Sequence, residues 1–216
     1  MKKQFLKYCS DNKFQQNDEQ IKALDLLVDF NQNNFSSNTL FNFFFKTEKK
    51  LGFYLYGDVG VGKTMLLNFF LNNIKISKKK IHFNEFMINF HDYRHANKLK
   101  DKDNSIDSFV KDLKKKAELI YLDEFQVTNI VDAMILGKLF ETIFKENIKV
   151  LISSNIKIKN LYKNGLQREQ FVPFIKIIEK FCVEHKLVIN QDYRKSDQSK
   201  LEYFFYPPNE QTTFQI

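Results

Sequence analysis

A chain of 216 residues that is 43% hydrophobic and 28% charged can bury one core of ordinary size, which excludes a disordered or collagen-like polymer. The formal charge of +8 is spread over dispersed lysines and short runs such as Lys78, Lys79 and Lys80 or Lys114, Lys115 and Lys116, so a nucleic-acid partner is not expected. Two cysteines, Cys9 and Cys182, stand far apart without CxxC spacing, which speaks against a disulfide framework or a zinc site and for a reducing compartment.

The first residues, "MKKQFLKYCSDNKFQQ", carry lysines but no apolar signal region, and no later run approaches membrane-spanning length. The absence of arginine before Arg94 is unlike a mitochondrial transit peptide, so a cytoplasmic protein without an integral membrane segment is expected. Ile21, Leu24, Leu26, Leu27 and Phe30 then recur at helical spacing behind Asn17 and Asp18 as capping residues. Short apolar runs predict strands at "GFYLY" (52–56), "IHFN" (81–84), "LIYLD" (119–123), "VLISS" (150–154) and "KLVI" (186–189). Between them, helical faces are expected from Leu66, Phe69, Phe70 and Ile74, from Ile130, Met134, Phe140 and Ile143, and from Phe171, Phe174, Ile178 and Phe181. The charge-rich "HANKLKDKDNSIDSFVKDLKKK" is expected to be the least ordered stretch. Strands alternating with helices predict an α/β fold with a five-stranded, mainly parallel sheet between helices, joined by right-handed crossovers. The domain boundaries expected are 1–47 for an N-terminal helical segment, 48–195 for the core and 196–216 for a C-terminal tail.

Between the first strand and the next helix lies "GDVGVGKT", Gly57, Asp58, Val59, Gly60, Val61, Gly62, Lys63 and Thr64, which fits G-x-x-x-x-G-K-[ST] in its required strand–loop–helix context. Glycines there let successive backbone N–H groups turn around an anion, and the following helix adds the positive end of its dipole. Lys63 is placed to reach the β- and γ-phosphates of ATP and Thr64 to ligate Mg²⁺. Downstream, "LIYLDEF" is a strand ending in acids: Asp123 is positioned for the Mg²⁺ shell, and Glu124 to orient and deprotonate an attacking water. "VLISSN" ends another strand with Asn155, placed either to position the water or to sense the phosphate. His91 and His95 in "HDYRH" have the i, i+4 spacing of a metal pair but no glutamate between them and no third ligand, so ordinary histidines are expected. Asn84, read as lying on the second strand, is a candidate for holding Glu124 inactive.

"GFYLYGDVGVGKTMLLNFF", "HFNEFMINFH", "LDEFQVTNIVDAMILGKLF", "SSNIKIKNLYKNGLQREQFVPFI" and "DYR" (192–194) follow the order and spacing of the ZapE-type ATPases, which this chain resembles over about residues 20–206. The resemblance implies a P-loop NTPase of AAA+ type, a ring or partial ring of identical subunits with ATP at their boundaries, and, in bacteria, action on the division apparatus around FtsZ. It also implies an arginine-finger role for Arg168 in "GLQRE", stabilising transition-state charge in a neighbouring subunit. The family pattern has glycine where Asp58 stands and arginine where Val61 stands, both in the variable part of the loop. The resemblance also implies a helical lid beyond "YPPNEQTTFQI"; the expectation is that the lid is missing and that nucleotide binding outlasts vigorous turnover. The alternatives to a bacterial cytoplasmic ATPase are a non-catalytic nucleotide-binding adaptor and a nucleic-acid loader.

Overall fold

The computed structural model describes residues 1–15, 17–35, 49–96 and 102–188. In chain order the elements are α1 (Lys2–Asp11), α2 (Asp18–Phe35), β1 (Gly52–Tyr56), α3 (Lys63–Asn72), β2 (Lys78–His82), α4 (Phe83–Ala96), α5 (Lys102–Lys116), β3 (Leu119–Asp123), α6 (Ile130–Lys145), β4 (Lys149–Ser154), α7 (Arg168–Phe181) and β5 (Cys182–Lys186). The five strands form one sheet in the order β2-β3-β4-β1-β5, and every neighbouring pair is parallel.

Strand alternation divides the core in two. Tyr54, Ile120, Leu122, Val150 and Ile152 face a cluster built with α4 to α7. Phe53, Leu55, Leu119, Tyr121 and Leu151 face the opposite cluster, built with α1, α2 and α3. Helices on both faces explain why β3 and β4 read as unbroken buried runs rather than as alternating ones.

The predicted β1, β3 and β4 match or nearly match the observed bounds, while the edge strands do not. β2 begins three residues before the predicted "IHFN", because its exposed Lys78, Lys79 and Lys80 hide it, and Phe83 and Asn84 already belong to α4. β5 lies before the predicted "KLVI" and shares only Lys186 with it. Among the described residues its polar "CVEHK" pairs with one neighbour, β1, at the sheet edge. The stretch expected to be least ordered contains α5, which buries Ile106, Phe109, Val110 and Leu113 at helical spacing beneath its charges. Two predicted core positions point outward: Leu26 on α2 and Met134 on α6 are exposed, and α6 buries Ala133, Leu136 and Leu139 beside Phe140 and Ile143. Helix α1, within the expected N-terminal helical segment but not singled out as an element, buries Phe5 and Cys9. Asn17 does cap α2, its Oδ1 accepting from the Glu19 N–H at 2.8 Å. The "DYR" motif and the 196–216 tail lie outside the described residues.

Gly52 on β1 stands opposite Cys182 on β5, and a Cβ there would collide with Cys182 Sγ. Gly52→Ala is therefore expected to cost about 1–3 kcal/mol in urea unfolding. Adding Cys182→Ala should recover part of that loss, whereas strictly additive effects would contradict the β1–β5 register.

Candidate functional site

The glycine loop is pinned where β1 leaves the sheet. The Gly57 N–H donates to the Ser154 carbonyl at 3.2 Å, the Leu187 N–H donates to the Tyr56 carbonyl at 2.7 Å, and a Cβ on Gly57 would strike the Leu187 carbonyl. Gly60 and Gly62 take φ of 91° and 85°, the left-handed region that L side chains avoid, so the loop curls tightly into α3. Gly62 is the N-cap of that helix, which sets the unpaired N–H groups of its first turn beside the loop.

Lys63 is buried to 8% exposure, and its Nζ donates to the carbonyls of Gly57 (2.8 Å) and Asp58 (2.7 Å) and to Asn155 Oδ1 (2.8 Å). Burial pulls its ammonium below the ordinary lysine value, and the carboxylates of Asp58 and Asp123 pull the other way. The cation is thus held in place by loop dipoles and by the Asn155 amide.

Asp123, at the end of β3 and 2% exposed, collects contacts from four elements. Its Oδ1 accepts from Tyr121 OH (2.6 Å), from Ser153 Oγ on β4 and from Thr64 Oγ1 on α3 (3.1 Å), and its Oδ2 meets Lys80 Nζ on β2 at 3.2 Å. Burial pushes this carboxyl upward more than any other single influence, yet the hydrogen bonds from Ser153, Tyr121 and Lys80 together outweigh it and hold Asp123 below the usual carboxylate range.

The next residue breaks the strand's alternation. Glu124 adopts φ of 57°, its N–H donates to Ser153 Oγ at 3.1 Å, and its side chain is 80% exposed, with Oε2 3.8 Å from His82 Nδ1. Phe125 is turned back into the core, its ring centroid 4.3 Å from that of Phe83 and 5.8 Å from that of Phe174. Glu124 therefore projects from a rigid plug. A cleft of about 590 Å³ opens beside it, lined by Gly60, Gly62, Lys63, Thr64, Asn84, Glu124, Gln126, Thr128 and Asn155 among others.

The structure thus brings Lys63, Thr64, Asp123, Glu124 and Asn155 to one edge of the sheet. Asn84 lines the same cleft from the first turn of α4 rather than from a strand, and the Glu124 carboxylate lies beside the His82 ring. Arg168 opens α7 and is not among the residues that line the cleft; its Nη2 donates to the Lys159 carbonyl at 2.8 Å. His91 pairs with Asp132 at 2.8 Å, tying α4 to α6, and no cluster of potential metal ligands occurs among the described residues. Sequence reading missed Tyr121 and Lys80 as partners of Asp123. Tyr121 was accessible to it, because two residues along a strand return to the same face.

The parallel β2-β3-β4-β1-β5 order with a glycine loop after β1 defines a P-loop NTPase. All of residues 1–216 match the model of the AFG1-like ATPase family, and the chain belongs to that family. It is 38% identical over 171 residues to lactation elevated protein 1 homolog B of Danio rerio, covering 74% of this chain and 34% of that protein. It is 32% identical over 166 residues to cell division protein ZapE of Escherichia coli K12, covering 76% of this chain and 44% of that protein. The chain thus spans about a third to under a half of the length of these relatives. Among solved structures, domain III of the replication initiation protein DnaA from Thermotoga maritima superposes with a TM-score of 0.56 at 17% identity, over 82% of this chain and 65% of that one. The DnaC helicase loader gives 0.52 at 16% identity, over 80% and 92%. At such identities these structures speak for the fold alone. No described helix is long and apolar enough to cross a membrane.

Because its folded pKa is depressed, Asp123 stabilises the fold at neutral pH, and that contribution fades as pH falls through its folded value. The stability difference between wild type and Asp123→Asn, read from urea midpoints, should therefore be largest near neutrality and shrink below about pH 4. A difference that grows on acidification would contradict the assignment.

Proposed function

We propose that this chain binds ATP and hydrolyses it to ADP and phosphate, with Mg²⁺ held beside the glycine loop. The reading rests above all on one observation: where β1, β3 and β4 end and α3 begins, Lys63 is hydrogen-bonded to Asn155 and Thr64 to Asp123, and Lys63, Thr64 and Asn155 line one cleft. The hydroxyl of Thr64 and the carboxylate of Asp123 are hard oxygen donors that suit Mg²⁺, which when bound would neutralise charge on the β- and γ-phosphates.

Each residue then has a task. The loop backbone from Gly57 to Thr64, including Asp58, Val59, Gly60, Val61 and Gly62, cradles the phosphates, and Lys63 exchanges Asn155 and the loop carbonyls for phosphate oxygens. Glu124, free of the buried carboxylate network, orients the attacking water and takes its proton. Asn155 positions that water or registers the γ-phosphate. Arg168 serves a neighbouring subunit, a role supported by its absence from the lining of its own chain's cleft. The active form on this reading is a homo-oligomer whose turnover is coupled to work on a protein partner. On this reading the partner is a division protein of the FtsZ type and the setting the bacterial cytoplasm, which the likeness to an Escherichia coli cell division protein supports; the Danio rerio relative supports a eukaryotic setting instead.

The test is ATP hydrolysis per subunit as a function of protein concentration. The rate should climb with concentration, vanish in Lys63→Ala with loss of binding, and fall about 100-fold or more in Glu124→Gln with binding retained. Arg168→Ala should lower turnover at least about ten-fold without weakening binding. Nucleotide binding with background turnover at every concentration would instead favour a non-catalytic adaptor.

A further inference from the structure

Gln20, on α2 and 41 residues before its contact, is only 4% exposed, and its Nε2 donates to the carbonyl of Val61 inside the glycine loop at 3.1 Å. The approach is close: a Cβ on Gly62 would lie 2.7 Å from the same nitrogen. Its other end is unusual. Among the described residues Gln20 Oε1 is buried without a hydrogen-bond partner, a state that ordinarily costs stability and is uncommon in a core. Packing alone gives no reason for an amide here, since Ala23, Leu24 and Leu27 already anchor α2 against the α3 side of the core.

The peptide bond supplies the reason. It is planar and trans, so the C=O of Val61 and the N–H of Gly62 point in opposite directions. A carbonyl fixed toward α2 sends the Gly62 N–H the other way, and Gly62 itself lines the cleft together with Gly60, Lys63 and Thr64. Gly62, at φ of 85° and without a side chain, has one of the softest backbones in the loop, so this peptide has most to gain from an outside tether.

We propose that Gln20 is a positioning residue for phosphate recognition: it orients the Val61–Gly62 peptide so that its N–H is preset toward a phosphate oxygen, and it makes α2 part of the nucleotide site. This deepens the ATP-binding reading above and rests on it. The buried, unpaired Oε1 is the local cost of that preorganisation.

Gln20→Met keeps the side chain's length and bulk, removes the donor and also removes the orphaned oxygen. The apo protein is expected to unfold at an unchanged or higher temperature, while affinity for ATP, for GTP and for inorganic tripolyphosphate falls by about the same factor, on the order of ten-fold. Gln20→Leu, likewise apolar and lacking the donor, should weaken binding of all three as well. A loss confined to ATP would make Gln20 a reader of the base and overturn the proposal. So would unchanged affinities, or a drop in unfolding temperature that accompanies the weaker binding, which would reduce Gln20 to a packing residue. A wild-type chain that binds none of the three ligands would refute the nucleotide reading itself.

Discussion

The carboxylate of Asp123 is the point on which the site depends. A charge buried to 2% exposure survives only if it is fully partnered, and here the partners come from β2, β3, β4 and α3 at once. Tyr121 arrives by strand alternation, Ser153 from the neighbouring parallel strand, Lys80 from the sheet edge, and Thr64 from the first turn after the glycine loop. Remove the parallel order and these four groups cannot converge. The charge network therefore links the fold's topology directly to the chemistry of its edge.

Around that anion the loop arranges its complement. Lys63 is held against Asn155 and two loop carbonyls, close enough to the carboxylates for them to oppose the effect of its burial. Glu124 stands apart from the network because a left-handed turn throws it outward while Phe125 locks the turn into the core. Adjacent residues in "DEF" thus divide into a buried anion, an exposed acid and an apolar anchor, three environments set by one backbone reversal. Preorganisation of this kind is what a phosphate site requires, since its groups must hold their places before charge arrives.

How much of this could be read from the sequence follows from burial. β1, β3 and β4, buried along most or all of their length, announced themselves as apolar runs, and the residues at their ends were identified with them. The edge strands β2 and β5 carry lysines, glutamate and histidine, so apolar content marked their flanks instead of the strands. Helix α5 was masked by its charges although Ile106, Phe109, Val110 and Leu113 keep helical spacing. In the site, Lys63, Thr64, Asp123 and Asn155 were legible because each sits at a fixed offset from a strand end. Lys80 and Gln20 were not, because their partners lie far off in sequence and only the fold brings them near.

The central claim is that Thr64 and Asp123 form the cation side of an ATP site built on the glycine loop. Equilibrium binding of a fluorescent ATP analogue, titrated across Mg²⁺ concentrations in wild type, Thr64→Ala and Asp123→Asn, tests it most directly. Mg²⁺ should tighten binding in wild type, and both substitutions should abolish most of this dependence while leaving a weaker, Mg²⁺-independent affinity. Binding in wild type that ignores Mg²⁺, or a dependence that survives both substitutions, would contradict it.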